Sequence, residues 1–204
     1  MLDVSRYFLP KRYVKRYMDL MAMHKLNVLQ LHLVDDPGWR IQIDKYPKLT
    51  EIGAFRGEGA ERYGGYYSKD DIRELVSYAQ ALHIEIVPEI ELPAHSQSAL
   101  AAYPWLGCSD KELPVPTKCY ISQEILCAGK KSSYRFLKDV MSEVVELFPG
   151  RFIHIGGDEA KYTRWEACPH CKQKCKDEGL KSFFELQSHL THYLEDFLMT
   201  KNRR

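Results

Sequence analysis

Short apolar runs alternate along this chain with segments of helical periodicity, and that alternation restricts the fold more than any other feature. Residues 27–34 (Asn-Val-Leu-Gln-Leu-His-Leu-Val), 84–90 and 151–155 read as strands. The first of these is apolar on both faces, as a covered parallel strand requires. Between them, Tyr13, Tyr17, Leu20, Met21 and His24 follow Pro10 at helical spacing, and Pro suits a helix start. Ser68 with Asp71 three places on announces a second helix, which buries Ile72, Leu75, Val76, Ala79 and Leu82. Residues 96–103 read as a short helix. Ser132 or Ser133 opens a longer one with Phe136, Leu137, Val140, Val144, Val145 and Leu147 inward, stopped by Pro149-Gly150. A last helix follows Gly179, with Phe183, Phe184, Leu186, Leu190, Tyr193, Leu194 and Phe197 on its apolar face. Strands alternating with helices predict an α/β fold with a parallel sheet.

Polar residues gather where the strands end. The chain starts like a strand tail, Leu2-Asp3-Val4, and runs on to Arg6. Residues 27–34 deliver Asp35-Asp36, residues 84–90 deliver Glu91 and His95, and residues 151–155 deliver Asp158-Glu159. In barrels and in doubly wound sheets, ligands sit at the C-terminal ends of parallel strands. Arg6, Asp35, His95, Asp158 and Glu159 are therefore expected around one pocket. Gly156-Gly157 lets the backbone turn sharply before the two acids. Adjacent carboxylates repel, so one should titrate high and the other low, which suits acid/base work. His32, inside its strand, reads as a satisfied core histidine. A (β/α)8 barrel takes about 250 residues and eight strands, whereas this chain has 204 residues. It holds a partial first strand and three more, and stops where another strand is due. The expectation is a partial (β/α)8 TIM barrel, roughly the first four β/α units. Residues 1–204 would form a single domain incomplete at both ends, its sheet open at the C-terminal edge.

A formal net charge of +1 leaves no dominant basic face, which argues against a nucleic-acid partner. No apolar run reaches the length of a membrane span. No signal peptide is visible, but a chain beginning inside a strand carries no information about export. Cys168-Pro-His-Cys171 with Cys175 resembles a zinc knuckle, yet zinc takes four ligands and no second Cys-x-x-Cys accompanies it. Disulfides or free thiols are therefore expected in place of zinc, and no metal or organic cofactor is assigned.

His154-Ile155-Gly156-Gly157-Asp158-Glu159 resembles the His-x-Gly-Gly-Asp-Glu signature of glycoside hydrolase family 20, the β-N-acetylhexosaminidases. Leu2-Asp3-Val4-Ser5-Arg6, the run from His32 to Arg40 and the run from Pro88 to His95 resemble the family's other strand ends, in the family's order and over essentially the whole chain. Leu31 and Ala94 depart from the Trp and Gly that many members carry there. The resemblance implies hydrolysis of terminal β-linked N-acetylglucosamine or N-acetylgalactosamine with the sugar's own acetamido group as nucleophile, an exception to the usual two-carboxylate scheme. It implies that Glu159 is the proton donor and then the base, and that Asp158 orients the acetamido group. By the same resemblance Arg6 binds sugar hydroxyls, and Asp35 with His95 supports Glu159. The partners it implies are N-acetylhexosamine-containing glycans and the missing C-terminal half of the barrel, which in the family carries aromatic walls and an acetamido-binding Tyr. The fragment itself is then expected to be weakly active or inactive. A noncatalytic carbohydrate-binding module is the alternative, and the presence of both acids speaks against it. Family habit points to an exported or lysosomal protein, and in an oxidising compartment Cys108 could bridge to Cys119 or Cys127.

Overall fold

The computed structural model describes residues 1–118 and 120–204. Strands β1 (Leu2–Asp3), β2 (Val28–His32) and β3 (Glu85–Glu89) form a parallel sheet in chain order. The expected fourth strand is an extended segment joined to β3 by one parallel bridge. There His154 N–H donates to Pro88 O and Ile90 N–H donates to His154 O, both at 3.0 Å. Helices α1 (Lys11–Met23), α2 (Lys69–Ala81) and α3 (Lys131–Leu147) make the crossovers, and α4 (Phe183–Thr200) follows. The α/β class and the parallel sheet are as the alternation requires.

Local chemistry sets the helix ends. Ser68 and Asp71 form a reciprocal capping box at the start of α2, and Ser182 caps α4 by accepting from Glu185 N–H. The opening of α3 differs from expectation: its N-cap is Lys130, and Ser133 lies buried inside the first turn. Two short helices, Thr163–Ala167 and Pro169–Asp177, occupy the stretch around Trp165 and the cysteines. They are too short and too polar to show an apolar period.

The core lies between the helices and one face of the sheet. Leu29, Leu31, Leu33, Ile86, Ile90 and Ile153 point into it, against Val14, Met18, Leu75, Val140, Val144, Leu190 and Leu194. The other face departs from the expected doubly apolar strand. It carries Val28, Gln30 and His32 from β2, with Val28 52% exposed, and Phe152 beside His154 is 45% exposed. Alternation along a strand puts these residues opposite the helices. Phe184 is also exposed, off the buried stripe of α4. At the far edge Ile153 N–H donates to Arg204 O (2.9 Å) and Arg204 N–H to Arg151 O (2.8 Å), one further rung of parallel pairing.

Cys108, Cys127, Cys168 and Cys171 converge as free thiols. A Cys108–Cys127 disulfide is therefore not formed, and the alternative partner Cys119 lies outside the described residues.

Candidate active site

The sheet register builds a row in which carboxyl and imidazole side chains alternate across the strand ends. Asp3 pairs with His32, His32 with Glu89, and Glu89 with His154. Side chains at paired positions share a face. Glu89 Oε2 lies 2.8 Å from His32 Nδ1 and its Oε1 3.1 Å from His154 Nδ1. Gln30 donates to the same carboxylate at 2.8 Å. His32 is thus buried and satisfied, as read from the sequence.

A second row stands above it on the loops. Asp3 Oδ1 accepts from Ser5 and Arg6 N–H, both at 3.0 Å, which curls the chain so that Arg6 turns over the sheet. Arg6 Nη1 lies 2.7 Å from Asp3 Oδ2 and Nη2 lies 2.8 Å from Asp35 Oδ2. Asp35 lies 3.0 Å from His32 Nε2 and 3.2 Å from His95 Nδ1. His95 Nε2 lies 3.2 Å from Glu159 Oε2. Arg6, Asp35, His95 and Glu159 therefore form one chain of contacts, and polar atoms of His95, Asp158 and Glu159 lie within 4.8 Å of one another. All five sequence-derived residues meet. Asp35 is 2% exposed, whereas the Glu159 side chain at the outer end is 46% exposed.

Burial and pairing set the charges. The His95 imidazole is raised to about 9, chiefly by its hydrogen bond to Asp35, against burial that pulls it down. Burial also depresses His32, but its hydrogen bonds to Asp35 and Glu89 override that and hold it at about 10. Burial pushes Asp35 upward, and the hydrogen bonds from His32 and His95 more than reverse this, leaving it well below the carboxylate range. Both nitrogens of His95 and of His32 face carboxylates. A ring that donates at both nitrogens has no lone pair for a metal, so these clusters are hydrogen-bonded carboxylate–histidine chains.

Further residues hold the site, and among them Arg40 and Gln187 are assigned no role by the sequence. Arg40 is buried and donates to Ser5 O (2.6 Å), Ala54 O (2.5 Å) and Gly65 O (3.0 Å), which locks the Arg6 segment to neighbouring loops. Gly156 (φ +65°) and Gly157 (φ +121°) make the turn before the acids. A Cβ on Gly156 would lie 1.8 Å from the Glu91 carboxylate. Glu91 accepts from Gly157 N–H at 2.7 Å, and Gln187 Nε2 on α4 donates to Gly157 O at 2.6 Å. Burial, with the nearby Asp158 charge adding to it, raises Glu91 to about 8. His95 (φ +50°) and Glu159 (φ +53°) both sit in the left-handed region, where strain is tolerated when surrounding contacts fix the backbone. The run at Glu91 was legible as polar, but its burial was not. Gln187 is one polar residue beside an apolar stripe and left no signal.

The family model for the glycosyl hydrolase family 20 catalytic domain matches residues 1–204. Among curated relatives, the chain is 45% identical over 205 residues to a beta-hexosaminidase of Porphyromonas gingivalis, covering all of this chain and 26% of that protein. It is 39% identical over 215 residues to one of Vibrio furnissii, covering all of this chain and 35% of that protein. The chain thus spans about a quarter to a third of these relatives' length. Among solved structures, a beta-N-acetylhexosaminidase from Bacteroides fragilis superposes with a TM-score of 0.92 at 41% identity, over 100% of this chain and 40% of that one. The exo beta-N-acetylglucosaminidase of Vibrio harveyi, solved with N-acetylglucosamine, gives 0.90 at 32% identity, over 100% of this chain and 34% of its own. With the match running the length of the sequence, the chain belongs to glycosyl hydrolase family 20.

Proposed function

We propose that this chain carries the acid/base machinery of an enzyme that removes terminal β-linked N-acetylhexosamine by a substrate-assisted, retaining route. The observation that carries the reading is the unbroken run Arg6–Asp35–His95–Glu159, ending on a half-exposed carboxyl beside Asp158. Glu159 gives its proton to the glycosidic oxygen as the C1–O bond breaks, and the substrate's acetamido oxygen bonds to C1. Asp158 takes the amide N–H and faces the positive charge of the oxazolinium ring. Water then attacks C1, Glu159 takes its proton, and the ring reopens. His95 is cationic below about pH 9, so the carboxylate that appears on Glu159 meets a positive charge 3.2 Å away. That contact gains strength as the proton leaves, which favours the transition state over the ground state. Arg6, held at both ends by carboxylates, presents a planar fork suited to sugar hydroxyls.

The architecture proposed is the first four β/α units of a (β/α)8 barrel. The open inner face with Val28 and Phe152, and the extra rung at Arg204, support it. Residues 1–204 alone are then expected to turn over little or no substrate, since lost positioning can remove up to about 7–11 kcal/mol of catalysis. The experiment is kinetics on an aryl N-acetyl-β-glucosaminide with the protein expressed from its complete reading frame. A thiazoline mimic of the oxazolinium should inhibit competitively, and Glu159→Gln should lower kcat most for the poorest leaving groups. No thiazoline inhibition, with a trapped glycosyl ester on a protein carboxylate, would replace this mechanism with a covalent one.

A further inference from the structure

We infer that Cys108, Cys127, Cys168 and Cys171 form a tetrathiolate site for one zinc ion, which clips the loop between β3 and α3 to the helices that follow Glu159. The four sulfurs lie within 4.8 Å of one another. Cys127 Sγ is 3.6 Å from Cys171 Sγ and 3.7 Å from Cys168 Sγ, and Cys108 Sγ is 4.0 Å from Cys171 Sγ. A tetrahedron with Zn–S bonds of about 2.3 Å has edges of about 3.8 Å. Disulfides do not account for the cluster, because an S–S bond is about 2.05 Å and joins sulfurs in pairs, whereas Cys127 and Cys171 each have two sulfur neighbours. The spacings are also too short to interpose the inorganic sulfides of an iron–sulfur cluster. This supplies the two ligands that the Cys168-x-x-Cys171 run lacked, drops Cys175 from the set, and revises the expectation of no metal.

The backbone around the sulfurs is built to match. Cys168 is the N-cap of the helix Pro169–Asp177 and Cys171 lies in its first turn, so both thiolates sit at the positive end of that helix. Cys108 and Cys127 each follow one partner of the antiparallel bridge Gly107–Leu126. A Cβ on Gly129 would fall 2.2 Å from His170 C, so only glycine lets this backbone close on the Cys-x-x-Cys turn. Cys127, Cys168 and Cys171 are buried. Beside them Trp165, wholly buried, donates its indole N–H to Leu126 O at 2.9 Å. Arg164 pairs with Glu124, and Lys161 donates to Ile121 O at 3.2 Å. The metal therefore fixes residues 121–127 against residues 161–171, the segment that leads directly away from Glu159. Its role is structural: four thiolates leave no open position for a substrate.

The test is metal analysis of the protein expressed from its complete reading frame and purified without chelator. One zinc per chain is expected, with an X-ray absorption shell of four sulfurs at about 2.3 Å. Cys127→Ser and Cys168→Ser should lose the zinc, and Cys175→Ser should keep it. If the first two variants fail to fold, cobalt substitution of the unaltered protein decides, with tetrahedral thiolate bands expected. A metal content near zero, a disulfide among the four by intact mass, a shell containing nitrogen or oxygen, or zinc lost in Cys175→Ser would each overturn the assignment.

Discussion

Asp35→Asn keeps the shape of the residue and removes one negative charge from the middle of the chain of contacts. The carboxylate faces Arg6 at 2.8 Å, His32 at 3.0 Å and His95 at 3.2 Å while almost fully out of water. His95 stands at about 9 first because of its hydrogen bond to Asp35, with burial opposing. In the variant that support is gone, burial remains, and Arg6 and His32 lack their shared anion. His95 should fall from about 9 to its ordinary value of 6.5 or below. At about 1.4 kcal/mol per pH unit, that ~2.5-unit fall corresponds to roughly 3 kcal/mol of coupling, in line with about 3–5 kcal/mol for breaking a buried ion pair. The pH dependence has a definite sign. A histidine raised on folding stabilises fully below about 6.5 and loses this as pH climbs to 9, while a depressed carboxylate stabilises above its ordinary range and loses this as pH falls. Asp35→Asn should therefore cost about 3 kcal/mol more near pH 5.5 than near pH 9.5, where His95 is neutral and the contacts to Arg6 and to His32, which holds its proton to about 10, are the charge pairs left to lose. Proton–carbon NMR of histidine Cε1, assigned with His95→Gln, gives the titration, and urea unfolding at the two pH values gives the stability. A His95 midpoint that stays near 9 in Asp35→Asn, or equal destabilisation at both pH values, would refute the electrostatic reading of these contacts.

Three further outcomes follow from named contacts. Gly156→Ala places a Cβ in the Glu91 carboxylate at a φ of +65°, so the turn must shift; kcat should fall about a hundredfold, as for an ångström-scale misplacement, and unchanged kcat would mean that the turn does not set the acids. Glu91 is raised to about 8 by burial, so the folded state holds a proton that the unfolded chain releases between its ordinary 4.5 and 8, and stability should decline as pH rises through that window. Glu91→Gln keeps the acceptor for Gly157 N–H and should flatten this decline in a series of thermal melts; parallel slopes would count against a neutral Glu91. Residues 1–204 expressed alone should self-associate through the open face and edge, and Phe152→Ser should weaken this in sedimentation velocity; a monomer with a sharp two-state transition would contradict it.

That the five candidate residues lie together was legible because a parallel α/β chain puts every strand exit at one end of the sheet, and polar residues after an apolar run mark those exits. Arg6, Asp35, His95, Asp158 and Glu159 needed nothing more than this and the order of the strands. What depends on register was not legible. That His32, Glu89 and His154 lie side by side follows from which residue pairs with which, and the composition of each strand is silent on that. The inner face of β2 shows the same limit: Gln30 and His32 interrupt an otherwise apolar run, yet that face is polar and partly open. The cysteine cluster required contacts between residues 63 apart. Only the Cys168–Cys171 half has a spacing that can be read along the chain.

The two rows are one device because His32 belongs to both. Its Nδ1 faces Glu89 in the sheet and its Nε2 faces Asp35 on the loop above. Asp3 makes the same link at the other end, pairing in register with His32 while its carboxylate holds Arg6. A one-residue slip of β2 against β3 would turn His32 toward the helices and Leu31 or Leu33 toward the rim, since strand side chains alternate with period two. Asp35 would then lose a cation, His95 would lose much of what holds its proton, and the carboxylate formed on Glu159 would face a neutral ring. The charge of the ring that faces an exposed side chain is in this way tied to backbone pairing two strands away. The buried leucines of β2, which make the register unambiguous, thus act on the chemistry without touching it.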